Sequence, residues 1–242
     1  MSWEGLSVLA VVPARGGSKG IPRKNLRTVG GESLIAHAAK VIRSLQWIDQ
    51  AVLTTDDHEM AEEGRTHGLD VPFMRPDVFA SDEAPALGMW QHAWLQSEAH
   101  YQRRFDLSLL LQPTTPLRKP EEVERTVREL ITGNHQAAAT ISRVPGHFTP
   151  HKLLTLDSDH RLHFYLEDGA KHSLRQSIPS YYSRNGLCYA VRREHLIDNG
   201  MIVERDCVGV LIDRYVVNID EPFELDLANI LYQRQESHDE ST

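Results

Sequence analysis

The segment Val11-Val-Pro-Ala-Arg-Gly-Gly-Ser-Lys-Gly-Ile-Pro-Arg-Lys-Asn-Leu26 decides how this chain folds. It continues an apolar run at residues 6–12, which predicts a buried first strand. Three glycines, two prolines, two arginines and two lysines then break the regular pattern. Because open α/β sheets bind ligands at the carboxyl ends of their strands, we interpret the segment as a phosphate-binding loop.

The composition of this loop suits an anion. Gly16, Gly17 and Gly20 allow the backbone to curl, so that successive amides can point at one phosphate. Four side chains supply positive charge: Arg15, Lys19, Arg23 and Lys24. A basic surface turn is the simpler alternative, and the position directly after a buried strand argues against it.

Familiar glycine motifs do not fit the loop. It contains neither G-x-x-x-x-G-K-[ST] nor G-x-G-x-x-G. Residues 16–20 do match G-x-S-x-G, the nucleophile elbow of serine hydrolases. An elbow turns sharply from a strand into a helix, whereas Pro22 interrupts any helix here. A hydrolase using Ser18 is therefore a remote alternative.

The composition of the whole chain limits the possible classes. The 242 residues, 40% of them hydrophobic, are enough for one core and a small lobe. A net charge of −8 argues against a nucleic-acid partner. No apolar run approaches a membrane span, and no leader is evident. Cys188 and Cys207 suit free thiols, so we expect a cytoplasmic protein without a membrane partner.

Helical and strand patterns alternate along most of the chain and predict an α/β fold with a mostly parallel sheet. Apolar spacing predicts helices over residues 34–45, 59–67, 85–98, 121–132 and 223–234. Extended segments are predicted over residues 51–55, 71–73, 107–111, 137–141, 187–191, 208–212 and 215–219. The continuous apolar run at 107–111 predicts a central strand, followed by a polar second wall of the cleft at 112–118.

The alternation breaks between residues 143 and 184, which predicts an inserted β-hairpin lobe or a dimer arm. The core then comprises residues 1–142 and 185–235. Residues 236–242 are polar and predict a disordered tail.

The loop resembles the signature of the CMP-sialic acid synthetases, the acylneuraminate cytidylyltransferase family. The resemblance continues through six further segments: Thr54-Thr-Asp56, Arg75-Pro76, Ala80-Ser-Asp82, Leu111-Gln-Pro-Thr-Thr-Pro-Leu-Arg118, Asn185-Gly186 and Asn218-Ile-Asp220. It implies a Rossmann-like three-layer nucleotidyltransferase fold with a small dimerisation insertion. The implied reaction transfers CMP from CTP to the anomeric hydroxyl of a 3-deoxy-2-keto sugar acid and releases pyrophosphate. Sialic, legionaminic or pseudaminic acid is the expected acceptor type, and an octulosonic acid or a phosphonate is the alternative.

The resemblance also implies roles for individual residues. Arg15, Lys24 and Asp220 are the catalytic candidates. Ten residues are expected to bind the nucleotide: Ala14, Arg15, Gly16, Gly17, Ser18, Lys24, Asn25, Arg75, Ser81 and Gln112. Five are expected near the sugar acid: Gln112, Lys152, Arg175, Arg184 and Asn185. Asp220 is the expected Mg²⁺ ligand, with a helix N-cap as its alternative role. A homodimer through residues 143–184 is expected.

Three departures from the family pattern fall mainly on the acceptor side. Asn218 replaces the first aspartate of a D-I-D pair, which weakens metal binding unless another carboxylate such as Asp213 contributes. Glu83-Ala-Pro-Ala86 replaces a hydroxyl-rich run, and Ser183 stands where the family often has arginine. A nucleotide-binding module without catalysis is therefore a third possibility.

Overall fold

A computed structural model describes residues 3, 5–81, 83–171 and 178–239. The described residues form ten strands: β1 (Val8–Pro13), β2 (Thr28–Val29), β3 (Glu32–Ser33), β4 (Gln50–Thr54), β5 (Leu107–Leu110), β6 (Ala137–Arg143), β7 (Leu154–Leu156), β8 (Leu162–Phe164), β9 (Tyr182–Arg192) and β10 (Cys207–Leu211). They also form five α-helices: α1 (Leu34–Ser44), α2 (His58–Thr66), α3 (Ala86–Tyr101), α4 (Pro120–Thr132) and α5 (Pro222–Asp239).

The main sheet has six strands in the order β10-β6-β9-β5-β1-β4. Strand β1 lies parallel to β4 and β5, and β10 lies parallel to β6. Strand β9 runs antiparallel between β5 and β6, so the sheet is mostly parallel, as predicted. All four residues of β5 are buried, which confirms its central place. The carboxyl ends of the parallel strands share one edge with the start of β9.

Helices cover both faces of the sheet. Side chains of α1, α2 and α4 pack on one face, among them Ile35, Met60 and Val127. Helix α3 covers the other face with the fully buried Trp90 and Trp94. The indole nitrogen Nε1 of Trp90 donates to Ser108 Oγ on β5 at 2.8 Å, which satisfies a polar group buried with the ring. The predicted three-layer architecture is confirmed.

The ends of several elements differ from the predictions. Residues 71–73 form no strand; a single parallel bridge joins Val52 to Asp70, and Pro72 has no N–H to extend it. Residues 215–219 also form no strand, so Asp220 follows an irregular segment. Helix α5 continues to Asp239, so the predicted disorder is wrong for residues 236–239. The Tyr232 hydroxyl donates to Glu236 Oε1 at 2.9 Å across one turn of this helix.

The predicted hairpin lobe is present. Strands β7 and β8 pair antiparallel, with Leu154 opposite Phe164. The lobe stands on extensions of two core strands, because Arg143 of β6 pairs with Tyr182 of β9. The core sheet thus reaches further than residues 142 and 185, and the lobe lies between these paired strand ends.

A small third apolar cluster fixes the loops at the carboxyl edge. It consists of Ile21, Val29, Leu34, Leu117, Val217, Ile219 and Ala228. These residues join the first loop, the segment after β5, the approach to Asp220 and helix α5. The Ile219 amide also donates to the Thr114 carbonyl at 2.8 Å. Three segments distant in sequence are therefore held against one another.

Two further predictions concern the chain as a whole. Cys188 is buried and Cys207 half-buried, and both are free thiols, as expected. Burial raises the pKa of Cys188 to about 12, so this thiol stays protonated and unreactive. None of the described helices is both long enough and apolar enough to cross a membrane.

Candidate active site

A cleft of about 550 Å³ opens at the carboxyl edge of the sheet. Its walls come from the first loop, the start of α3, the segment after β5 and the approach to α5. The predicted residues that line it are Arg15, Ser18, Lys24, Asn25, Arg75, Gln112 and Asp220. The structure therefore gathers most of the charged and amide side chains predicted for the nucleotide, as expected at this edge of an α/β sheet.

Lys24 and Asp220 form an ion pair across the cleft, with Nζ 2.7 Å from Oδ1. Lys24 begins a short 3₁₀ turn, Lys24–Leu26, and Arg23 before it adopts a left-handed backbone with φ 55°. Left-handed backbone is uncommon for a residue with a side chain. Ile21 and Val29, on either side of this turn, pack in the third apolar cluster and hold the segment that carries Lys24.

The alternative role of Asp220 as a helix N-cap is wrong. Glu224 caps α5 instead, because its Oε2 accepts from the amides of Asp220 at 2.6 Å and Glu221 at 2.8 Å. The Asp220 carboxylate faces Lys24 and also accepts from Asn218 Nδ2 at 3.3 Å. Capping by Glu224 thus leaves the Asp220 side chain in the cleft.

Arg75 lies at the base of the cleft with 6% of its surface exposed. Its Nε donates to Thr54 Oγ1 at 3.2 Å, and Nη2 donates to the Thr54 carbonyl. Burial lowers its pKa to about 10; nearby Asp56 opposes the shift and Arg15 adds to it. Arg75 remains charged at neutral pH, so two arginines repel each other here. An anionic ligand would relieve that repulsion.

The predicted cradle of loop amides is only partly present. The Ala14 amide donates to the Thr54 carbonyl at 3.1 Å, and the Gly16 amide donates to Asp56 Oδ1 at 2.9 Å. Ala14 is fully buried, and neither Gly16 nor Gly17 lines the cleft. Acceptors at the end of β4 and just after it take up these two donors, so side-chain cations provide most of the anion-binding capacity.

Arg23, which the sequence placed among the phosphate contacts, points away from the cleft. Its Nη2 lies 2.9 Å from Asp57 Oδ1 and 2.8 Å from Glu59 Oε2. Burial alone would raise the pKa of Asp57, but hydrogen bonds from the Met60 amide and Arg23 outweigh it and lower that pKa. Arg23 therefore joins the loop to the start of α2, which Asp57 caps.

Arg118 fixes the wall that carries Gln112. Its Nη2 donates to the Gln112 carbonyl at 2.6 Å, and its Nε donates to the Leu187 carbonyl at 2.6 Å. Gly186 lies under the same wall with φ 73°, and a Cβ there would overlap Gln112 Oε1. Glycine suits this position because it adopts the left-handed backbone without strain and because it has no Cβ to overlap the Gln112 side chain.

Of the predicted sugar-acid residues that the structure describes, only Gln112 lines this cleft. Asn185 is 6% exposed; its Oδ1 accepts from Thr140 Oγ1 at 2.6 Å and its Nδ2 donates to Ser142 Oγ at 3.0 Å. It bridges β6 and β9 where their register shifts. Arg184 is exposed on β9, beside Ile141. Asn185 and Arg184 therefore do not line the cleft in this single chain, and their contact with a sugar acid stays a prediction.

The other predicted residues lie away from the cleft or outside the described part of the chain. Lys152 ends a 3₁₀ turn of the lobe, Pro150–Lys152, away from the cleft. Ser81 is exposed and its carbonyl accepts from the Ala84 amide at 3.2 Å, so it forms a turn rather than a cleft wall. Arg175 lies outside the described residues. Asp213, the suggested extra metal carboxylate, is exposed and does not line the cleft.

Several cleft residues were not assigned a role from the sequence. Ala86 and Met89 give one wall an apolar surface, and Glu221 adds a carboxylate. Asn218, noticed only as a departure, has a buried Oδ1 without a hydrogen-bond partner among the described residues. An oxygen of that kind is a suitable ligand for Mg²⁺, and so is the nearby Asp220 carboxylate. Among the residues with described positions, no three His, Cys, Asp or Glu side chains gather as a metal cluster.

A mostly parallel α/β sheet with a cationic cleft at its carboxyl edge is an arrangement that binds anionic ligands such as nucleotides, and comparison with known proteins identifies the class of enzyme. The family model described as cytidylyltransferase matches residues 9–236. The chain belongs to this family, which confirms the resemblance seen in the sequence.

Individual relatives agree with this assignment. The chain is 29% identical to CMP-N,N'-diacetyllegionaminic acid synthase of Legionella pneumophila, over 92% of this chain and 94% of that protein. It is 25% identical to pseudaminic acid cytidylyltransferase of Campylobacter jejuni, over 93% and 96%. A solved structure of CMP:2-keto-3-deoxy-manno-octonic acid synthetase complexed with CTP superposes with a TM-score of 0.69 at 16% identity, covering 95% of this chain and 99% of that one. The last likeness supports the fold.

Proposed function

We propose that this enzyme transfers CMP from CTP to the anomeric hydroxyl of a nonulosonic acid, a 3-deoxy-2-keto sugar acid of the legionaminic, pseudaminic or sialic type. The observation that carries the proposal is the cleft in which Arg15, Lys24 and Arg75 face Asp220 within a cytidylyltransferase fold. The names of the relatives in Legionella and Campylobacter support the acceptor class.

The cleft supplies what this reaction needs. The acceptor hydroxyl attacks the α-phosphorus, a new P–O bond forms, and the bond to the departing pyrophosphate breaks. Negative charge develops on the phosphoryl oxygens, so positioned cations do most of the catalytic work and no covalent enzyme intermediate is needed. All four residues line the cleft: Arg15 and Lys24 would bind the triphosphate, and Gln112 and Asn25 would offer amide groups to the nucleoside or sugar.

We include Mg²⁺ in the proposal because the residues present suit it. The Asp220 carboxylate and the unpartnered Asn218 Oδ1 are hard oxygen donors on one side of the cleft. When bound, the ion would neutralise charge on the triphosphate. Since Asn218 replaces a carboxylate of the family pattern, substrate phosphates would contribute a larger share of the ligands.

A homodimer through the lobe is also part of the proposal. The lobe exposes a cluster of large apolar side chains: Phe148, Leu153, Leu154, Leu156, Leu162, Phe164 and Tyr165. Leu156 and Leu162, which face each other in the hairpin, are 58% and 66% exposed. Exposed apolar clusters of this kind mark interaction sites. A second copy seated there would bring Lys152 and its neighbours towards a sugar pocket, and the free thiols support a cytoplasmic location.

Pyrophosphate release tests the function. Purified protein, CTP and Mg²⁺ are incubated with a panel of N,N'-diacetyllegionaminic, pseudaminic, N-acetylneuraminic and 3-deoxy-manno-octulosonic acids. Release is expected with a nonulosonic acid. Turnover with the octulosonic acid alone would favour that alternative acceptor. A shorter match, 39% identical over 72 residues, to a 3-deoxy-manno-octulosonate cytidylyltransferase is the reason for including it. No release with any acceptor would refute the proposal.

The hydrolase alternative has little structural support. Ser18 is not followed by an α-helix, and the next helical residues are the 3₁₀ turn Lys24–Leu26. An organophosphonate probe is therefore expected to leave Ser18 unlabelled, and labelling at that serine would revive the alternative.

A further inference from the structure

Both oxygens of the Asp220 carboxylate already have donors from this chain. Lys24 Nζ lies 2.7 Å from Oδ1, and Asn218 Nδ2 lies 3.3 Å from Oδ2. The lysine side chain is 15% exposed and the aspartate side chain 65% exposed, so Lys24 is partly withdrawn from water while the carboxylate is open to the cleft. A cation that approaches Asp220 therefore competes with two groups for its carboxylate.

The charge of the cleft adds to this competition. Lys24 and Asp220 cancel each other, and Asn218 contributes no charge where an aspartate would leave a net negative site. The cleft wall as described carries four cations, Arg15, Lys19, Lys24 and Arg75, against the carboxylates of Asp220 and Glu221. A free divalent cation is thus repelled by its surroundings. A bound triphosphate would reverse the sign of the local charge.

We propose that Lys24 and Asn218 close the Asp220 site to free divalent cations, so that metal binds only together with the nucleotide. A bound triphosphate would attract Lys24 away from Asp220 and release that carboxylate for the metal, while Asn218 supplies a second, unpartnered oxygen in its buried Oδ1. The inference rests on the proposed use of Mg²⁺ by this cytidylyltransferase. Asn218 then keeps the nucleotide-free site neutral.

Mn²⁺ binding to the nucleotide-free protein tests this. Electron paramagnetic resonance measures free Mn²⁺, and water-proton relaxation reports protein-bound Mn²⁺ when α,β-methylene-CTP is present. The wild-type protein should bind Mn²⁺ weakly alone and tightly with the analogue. Without nucleotide, Lys24→Met should tighten binding by about fivefold, the ratio that ~1 kcal/mol from a partly exposed ion pair represents. Lys24→Arg, which keeps the cation, should not.

Three further variants locate the effect. Arg27→Met removes the same charge from the same loop, but the Arg27 side chain donates to the Pro22 carbonyl rather than to Asp220, so affinity should stay as in the wild type. Adding Asp220→Asn to Lys24→Met should abolish the gain. Asn218→Asp should also tighten nucleotide-free binding, because it restores a negative charge.

Equal Mn²⁺ affinity with and without the analogue would overturn the inference, and so would equal effects of Lys24→Met and Arg27→Met. Pyrophosphate release by the wild-type enzyme is measured on the same preparation. If the enzyme releases pyrophosphate but binds Mn²⁺ equally well without nucleotide, the proposed exclusion of free cations by Lys24 and Asn218 is refuted, whereas the proposed cytidylyl transfer is not. Absence of turnover counts against the function itself.

Discussion

Gly186 offers a sharp test of how the cleft is built, through the substitution Gly186→Ala. Its φ of 73° lies in the left-handed region, and an added Cβ would overlap Gln112 Oε1 and come within 3.3 Å of Gln112 Cδ. The atom in the way is the end of a flexible side chain, so Gln112 can swing aside at small cost. The fold should survive, but the amide of Gln112 should leave its place in the cleft.

The backbone sets the effect on stability. Left-handed backbone costs a non-glycine residue about 1–2 kcal/mol. Alanine also reduces the conformational freedom of the unfolded chain, which stabilises the folded protein by about 0.4–1 kcal/mol. The net loss of about 1 kcal/mol corresponds to a fall in melting temperature of about 2–4 °C for a chain of this size. Displacing Gln112 by about 1 Å should lower kcat/KM by about 10- to 100-fold.

Gly31→Ala is the matched control. Gly31 has φ 84° in the turn between β2 and β3, and no atom lies within 4 Å of its added Cβ. This variant should show the same fall in melting temperature with unchanged kcat/KM. Thermal unfolding and pyrophosphate release measure both quantities. If Gly186→Ala retains full kcat/KM, or if both variants lose activity equally, the role assigned to Gln112 is wrong.

Three other predictions follow from the site and its supports. Lys24→Ala should lower kcat/KM by about 100-fold or more, because it removes a cation placed for developing phosphate charge; a loss below threefold in pyrophosphate release would count against that role. Asn185→Leu should lower the free energy of unfolding by about 1–3 kcal/mol, since the Leu187 amide loses its acceptor at 3.2 Å, and an unchanged urea midpoint would contradict the bridge. Burial lowers the pKa of His37 below its ordinary 6.5. Below pH 6.5 the unfolded chain therefore binds a proton at His37 more readily than the folded protein does. The stability that His37 contributes above pH 6.5 is lost as the pH falls from 6.5 towards the lower pKa of the folded state. The melting temperature should therefore fall less between pH 7.5 and 5 in His37→Gln, whose amide can still donate to the Val29 carbonyl; an equal fall in both proteins would exclude a contribution from His37.

Sequence periodicity predicted the layered core because its signals are local. Serine is a common helix N-cap, and the side chain of Ser33, directly before α1, accepts from the Ala36 amide at 3.0 Å. The continuous run at 107–111 indicates a strand covered on both faces, which β5 is. The order of chain segments then places the ends of β1 and β5 at one edge, so the cleft follows from the topology.

Contacts between distant segments were beyond the sequence. The loop motif does not show that the Gly16 amide donates to Asp56. Nor does the sequence show that the side-chain amide of Asn185 forms hydrogen bonds where the register of β6 and β9 shifts. The capping of α5 had a local signal in Glu221 and Glu224, since a glutamate three residues after the N-cap forms half of a capping box. Reading that signal would have removed the helix N-cap as an alternative role for Asp220 without the structure.

The most direct measurement of the central claim is ³¹P NMR of CTP incubated with the enzyme, Mg²⁺ and N,N'-diacetyllegionaminic or pseudaminic acid. We expect the three CTP signals to be replaced by one phosphodiester signal and an equimolar amount of pyrophosphate, and we expect omission of the sugar acid to prevent the change. CTP that persists with every nonulosonic acid, or CMP formed without an acceptor, would contradict cytidylyl transfer by this cleft.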